Sequence, residues 1–375
     1  MAERSQLRRS VTAGRLSRFR GEIVLPSLLA GAAITLSVPP FGFWPLGVVG
    51  LALLFWRLEG LRLRNRILAG GIAGATLYGP SLLWATGFNL AGWIALVIVS
   101  CAFLAVACAA TPPRGGRSLA FPAAIVLTEA LRTIWPLGGF PMGGVPLGQA
   151  GGPLGPPARL GGYLLVTALS TVAAVAMVQL WHVVYQRVPR AAPAGPRSLS
   201  RPTAVGTWSL RSHHIVPAAL SALAVVAVAI AGHLAPDGGP GIASSRVAAV
   251  QGGGSRGLSQ AQVDQAIVYR AHLAASARLA VPLDLVLWPE DVIGLDGPLS
   301  RSPAQTQISD LARSLSTTLV AGVTEDVGTS RFRNQAVAWG PSGSIVDVYD
   351  KVHRVPFGEY VPARFIFRHL ANLNG

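Results

Sequence analysis

The sequence predicts a polytopic α-helical membrane domain followed by a smaller α/β domain, and three observations carry that reading. Of 375 residues, 51% are hydrophobic and only 13% charged, whereas soluble domains hold about 25% charged residues. Apolar runs close to the roughly 20 residues that cross a bilayer as a helix recur through the first part of the chain. Beyond Ser244 they give way to short apolar stretches suited to strands, separated by amphipathic helical segments.

Seven spans are predicted, over 22–39, 42–56, 67–86, 90–110, 118–135, 160–182 and 214–233; the second is short and the third contains Pro80. The net charge of +15 does not mark a nucleic-acid binder, because the arginines alternate with the apolar runs instead of forming one soluble patch. Arg4, Arg8, Arg9, Arg15, Arg18 and Arg20 precede the first run; Arg57, Arg62, Arg64 and Arg66 follow the second; Arg114 and Arg117 follow the fourth. Arg187, Arg190, Arg197, Arg201 and Arg211 follow the sixth, and the intervening loops hold only Arg159. The positive-inside rule therefore puts residues 1–21 in the cytoplasm, 22–235 in the cell membrane and everything after about Pro236 outside the cytoplasm. The first run has no clear small-residue cleavage site, so a signal peptide is a poor reading.

Cys101 and Cys108 fall inside the fourth run, where a thiol packs as a small apolar group, and they make no metal-ligand pattern. Between the fifth and sixth runs lies Pro136–Leu160, in which 14 of 25 residues are Gly or Pro, too many for a helix. Two readings stand: a flexible loop, or a re-entrant segment shaping a route for lipid. Just before it, Glu129 and Arg132 are spaced to share one helix face, either as a functional charge in the membrane or as an ion pair tying helices together.

In the second domain "RVAAVQ" reads as a buried strand, "SQAQVDQAIVYRAHLAASARL" as a helix capped at Ser259, "LDLVLWPE" as a strand and "PAQTQISDLARSLS" as a helix. The strands "TTLVAGVT", "NQAVAWG" and "SIVDVYD" follow, with turns at Gly328 and "GPSGS". A βαβ unit thus opens an α/β domain.

Three residues in it attract chemistry. Glu290 ends the strand "LVLWPE", where α/β proteins place functional groups; it serves equally as an acidic cap on the next segment. Lys351, in "YDKVHRVPFGEYVP", is the only lysine of a chain that otherwise uses arginine, either as an accident of composition or as a position needing a compact ammonium. Glu359 sits on a loop broken by Pro356 and Gly358, as a site carboxylate or as a solvated partner of Arg354 or Arg364.

"WPE" closing one strand and "YDKVHRVPFGEYVP" following another resemble the first two catalytic blocks of the nitrilase, or carbon-nitrogen hydrolase, superfamily, with "QGGG" at Gln251 a weaker match. Together with "PPFGFWPL" (Pro39 to Leu46) and "EALRTIWPLGGFP" (Glu129 to Pro141), the pattern resembles the apolipoprotein N-acyltransferase family over nearly the whole chain. The resemblance implies that 244–375 is the first part of a nitrilase-like αββα sandwich. It also implies a Glu-Lys-Cys triad, with Glu290 as general base, Lys351 as the cation at the developing oxyanion and Glu359 in support. The family's reaction moves a fatty acyl chain from a membrane phospholipid through a cysteine thioester to the N-terminal amine of a diacylglyceryl-cysteine lipoprotein. It uses no cofactor and no metal.

No cysteine follows Cys108, so the nucleophile of that triad is absent from this chain. The expectation is a C-terminally incomplete form, ending at Gly375 and inactive alone. Two other functions fit the same features: a membrane-tethered amidase or nitrilase, and a non-catalytic membrane scaffold for a polyprenol-phosphate mannosyltransferase, an enzyme that accompanies relatives of this family.

Overall fold

A computed structural model describes residues 20–87, 90–136, 139–185, 209–239, 241–253, 264–328 and 331–354. They fall into two compact units that divide between Asp237 and Gly238. In the first, a single π-type turn, Arg20–Val24, leads into α1 (Leu25–Ser37), and α2 (Trp44–Arg57), α3 (Leu63–Ser81), α4 (Leu90–Ala110), α5 (Arg117–Arg132), α6 (Ala158–Tyr185) and α7 (Ser209–Leu234) follow. α1 packs on α2 and α3, α3 on α4, α4 on α5, α5 on α6, and α6 on α2, which closes a ring of six helices; α7 packs on α6.

Between apolar helices the driving force is close packing, which small residues permit. α3 and α4 illustrate it: a Cβ at Gly70 would lie 2.8 Å from the backbone of Ala105 and 2.9 Å from the Cβ of Cys108. Cys108 is fully buried and Cys101 lies against Gly74, so both thiols fill the seam between these helices. Three helices among the described residues are long and apolar enough to cross a membrane: Leu90–Ala110, Ala158–Val184 and Ile215–Leu234. That is fewer than the seven predicted spans. Gly21–Ser37 and Trp44–Arg57 are apolar but shorter, α3 includes Arg64 and Arg66, and α5 is 16 residues long with Arg117 as its first. The third predicted run also ends early, since α3 stops at Ser81 and a 3-10 turn, Leu83–Gly87, replaces its last residues.

Among the described residues the second unit holds one sheet and two α-helices. β1 (Val247–Ala249), α8 (Gln265–Ser276) and β2 (Leu285–Leu287) form the expected βαβ unit; β3 (Ile293–Leu295), α9 (Pro303–Leu315), β4 (Thr318–Val327), β5 (Arg331–Trp339) and β6 (Ile345–Asp350) follow. Strand order is β1-β2-β4-β5-β6, parallel from β1 to β4 and antiparallel from β4 to β6, with β3 paired in parallel to β4. α8 is capped by Asp264, whose Oδ1 accepts from the amides of Ala266 and Ile267. Ser259, the predicted cap, lies outside the described residues, and the observed cap stands five positions further on. Ser302 caps α9 in the same way.

Along β4 and β5 the buried Leu319, Ala321, Val323, Val337 and Trp339 share one face, because the antiparallel register sets Leu319 opposite Trp339 and Ala321 opposite Val337. Ile308, Ala312 and Leu315 of α9 join them in one core. Alternation therefore puts Gly322, Thr324 and Asn334 on the other face.

The Gly/Pro-rich segment after α5 is irregular, as its composition requires, but it is packed. Val145, Gly148 and Gln149 of its 3-10 turn Val145–Gln149 are buried, and Gln149 donates from Nε2 to the carbonyl of Trp44 at 3.0 Å. Arg132 holds its beginning. The guanidinium, 1% exposed, meets Glu129 through Nη2–Oε1 at 2.6 Å and donates from Nη1 to the carbonyls of Phe140 and Met142 at 2.5 and 2.8 Å. The pair thus joins the end of α5 to its own following loop, with the Tyr78 ring of α3 beneath the guanidinium at 5.3 Å. Breaking a buried pair on one side leaves an uncompensated charge, at about 3–5 kcal/mol. Arg132→Met should therefore lower the thermal midpoint in detergent by more than the double change Glu129→Gln with Arg132→Met; equal losses would show that the charges do not act as a pair.

Candidate active site

Glu290 reaches its position through a break in the sheet. β2 ends with Leu287 opposite Val320, and β3 begins with Ile293 opposite Val323. Five residues, Trp288 to Val292, are therefore fitted beside only two of β4, Ala321 and Gly322. Glu290 is not the last residue of a strand, as the sequence suggested; it tops an outward bulge. Pro289 is the physical reason. It has no N–H to give to the ladder, and its carbonyl instead accepts from Gly322 at 3.2 Å. Trp288 locks the near side, its amide on the Val320 carbonyl and its Nε1 on Ser276 Oγ of α8 at 2.9 Å. Asp291 closes the far side with φ 56° and accepts from Thr324 Oγ1 at 3.2 Å.

A bulge this close to β4 needs a glycine opposite. A Cβ on Gly322 would stand 2.5 Å from Glu290 Cα and 2.6 Å from the Pro289 carbonyl oxygen, both backbone atoms that cannot rotate away.

Lys351 arrives from the opposite edge. It is the first residue after β6, and its amide donates to the Asn334 carbonyl at 2.8 Å. Its Nζ lies 2.6 Å from Glu290 Oε1, so the structure brings together two of the three residues singled out in the sequence. Glu359 and Arg364 lie outside the described residues. A group absent from the sequence reading completes the contact: Asn334 Nδ2 also donates to Glu290 Oε1, at 2.6 Å. The side chain of Glu290 is 53% exposed and that of Lys351 25%, which leaves the carboxylate open to a reacting molecule.

These donors set the proton affinity of Glu290. The hydrogen bond from Lys351 pulls its pKa below the ordinary 4.5; burial opposes this, and the Asn334 bond and the lysine charge add to it. The carboxylate is thus held ionised at neutral pH, the state in which it accepts a proton. Among the described residues no group of three His, Cys, Asp or Glu side chains is placed to hold a metal ion.

Residues 30–189 match the family model described as the apolipoprotein N-acyltransferase N-terminal domain, and residues 246–372 match that of the carbon-nitrogen hydrolases. The chain belongs to the apolipoprotein N-acyltransferase family. It is 30% identical over 382 residues to the apolipoprotein N-acyltransferase of Azotobacter vinelandii and 29% identical over 371 residues to that of Pseudomonas putida, in each case over 92% of this chain and 66% of the relative. The counterpart from Mycolicibacterium smegmatis is 30% identical over 376 residues, 91% of this chain and 59% of the relative. The chain therefore spans just under two thirds of the length of the first two. Its sheet unit has the carbon-nitrogen hydrolase, or nitrilase-like, fold, and Glu290, Gly322, Asn334 and Lys351 all lie inside the matched region.

Glycine inside the apolar run "LVAGVT" was the one available sign of a close backbone approach; nothing in the strand pattern separated Asn334 from an ordinary surface amide.

Two outcomes follow from this geometry. The Glu290–Lys351 contact is complete above the ordinary carboxylate pKa and is lost only as pH falls through the lowered one. With selectively 13C-labelled glutamate, the resonance missing from Glu290→Gln should titrate with a midpoint below 4.5; a midpoint at or above it contradicts the contact. Gly322→Ala should push Glu290 off Lys351. Because Lys351 is the only lysine, its acetylation by an amine reagent at pH 8 reads the contact directly and should accelerate several-fold, whereas an unchanged rate would show that the bulge tolerates a methyl.

Proposed function

We propose that this chain belongs to the machinery that N-acylates bacterial lipoproteins, with Glu290 and Lys351 as its acid-base pair. The 2.6 Å contact between these two side chains, at the positions where the family resemblance expects a base and a cation, is the observation that carries the reading.

In the first step a cysteine sulfur attacks the ester carbonyl of a phospholipid. Glu290 takes the thiol proton, a carbon–sulfur bond forms, and the lysophospholipid alcohol leaves with the proton from Glu290. In the second step the α-amine of a diacylglyceryl-cysteine attacks the thioester. Glu290 accepts the amine proton, the amide forms, and the released thiolate is reprotonated. Lys351 stabilises the oxyanion of each tetrahedral intermediate at close range, and Glu359 supports it. Neither Cys101 nor Cys108 suits the nucleophile, since both pack in the α3–α4 seam, and no other cysteine is present. In this reading the attacking thiol is not one that these 375 residues supply.

The lipid substrates fit a seven-span unit over 22–235 with a cytoplasmic N-terminus and an extracytoplasmic domain from 244, the orientation that the arginine distribution favours.

Deleting the gene should convert triacylated lipoprotein N-termini to diacylated ones in mass spectra of membrane proteins, and restoring the gene should reverse this. A gene with Lys351→Arg should fail to restore, because a guanidinium differs from an ammonium in size and bonding geometry. Triacylation that persists at its normal level in the deletion strain would refute the proposal.

A further inference from the structure

We infer that Asn334 is a positioning residue for Glu290: with Lys351 it pins one carboxylate oxygen, Oε1, and so reserves the other, Oε2, to take the proton of the attacking group. This rests on the assignment of Glu290 as base, and extends it to the level of single atoms.

A carboxylate that accepts protons in a defined direction has to present one oxygen in one orientation, and the carboxyl torsion of glutamate is soft. A single hydrogen bond leaves rotation about that bond. Here two donors converge on the same oxygen from different strands. Asn334 Nδ2 comes from the first half of β5 and Lys351 Nζ from just past the end of β6, each at 2.6 Å from Oε1. Among the described residues Oε2 accepts no hydrogen bond.

The backbone makes the arrangement rigid. Asn334 sits opposite Thr324 in the β4–β5 register, and its own carbonyl receives the Lys351 amide at 2.8 Å. The side chain of Thr324 in turn donates to Asp291, the neighbour of Glu290. Asn334 therefore touches both partners of the pair, the base through its side chain and the lysine through its main chain. An amide is suited to this place: its N–H donates to the carboxylate without adding a charge that would compete with Lys351.

Among the described residues the groups that bond Glu290 from its packed neighbours are Lys351 and Asn334, and the adjacent Asp291 accepts from Thr324. Removing the amide should accordingly act on the base and leave the lysine contact standing. In the 375-residue chain, Asn334→Ala should move the Glu290 titration midpoint upward, with the acetylation rate of Lys351 within about twofold of the unchanged chain. Asn334→Asp, of the same shape, removes the donor and adds a like charge, and should move the midpoint further; it also serves if the alanine form folds poorly. In membranes that carry out the acyl transfer, Asn334→Ala should lower kcat about 10- to 100-fold with KM within about twofold, as expected when an interaction specific to the transition state is lost.

An unchanged midpoint in both variants, or a change confined to KM, would overturn the role. If Glu290→Gln keeps full activity, the base assignment itself fails, and it does so whatever Asn334 does. Acceleration of Lys351 acetylation in Asn334→Ala would mark Asn334 as a mere support for the lysine loop, and would also overturn the role.

Discussion

Two side chains 61 positions apart meet at 2.6 Å, and nearly every feature of the sheet unit is arranged to allow it. Glu290 comes from a bulge between two short parallel strands, Lys351 from the far edge of an antiparallel ladder. Neither position is set by local sequence. Both are set by β4, the longest strand, which pairs with β2, β3 and β5 at once. A slip of one residue in the β4–β5 pairing would turn Asn334 to the opposite face and carry the lysine loop with it. The buried Val337 and Trp339 of β5 oppose such a slip, because it would turn both out of the core. The site's precision is thus a product of the core beneath it.

The helical unit meets its constraint differently. Between apolar helices, burial against neighbours gains little over burial in lipid, so specificity comes from close packing and from polar groups with no other place to bond. The Gly70–Cys108 seam exemplifies the first and the Glu129–Arg132 pair the second. Arg132 satisfies two loop carbonyls as well as a carboxylate, which allows a backbone that cannot be helical to lie packed against helices. Of the two uses weighed for this pair, the structure supports the tie, though it joins a helix to its following loop instead of joining two helices.

Legibility in the sequence followed the range of the interactions. The apolar periodicity of the helices, the βαβ opening and the turns at Gly328 and Gly343 are local, and each was readable. Glu290 and Lys351 were readable for a different reason: each breaks its surroundings, one as an acid after an apolar run, the other as a lone lysine among arginines. Asn334 breaks nothing, because an amide at the start of a strand is ordinary, and its role exists only once β5 is laid against β4. The cap at Asp264 was missed since Ser259 offers the same chemistry five residues earlier, and only tertiary contacts decide where a helix of marginal propensity begins. The bulge at Glu290 was hidden because Pro289 permits both a strand end and a detour.

The choice of lysine at 351 takes on a sharper physical sense from the shared oxygen. An arginine in this place would present two parallel N–H groups to the carboxylate, and such forks favour engaging both oxygens. Glu290 would then be held well but with neither oxygen free of a bond to the cation. An ammonium is a point donor: it meets Oε1 and tolerates a second donor beside it on the same oxygen. On the proposed assignment of Glu290 as base, a chain whose other basic side chains are all arginine has kept the one cation that stabilises that base without saturating it. The requirement for lysine lies as much in what must stay unbonded on Glu290 as in the charge it supplies.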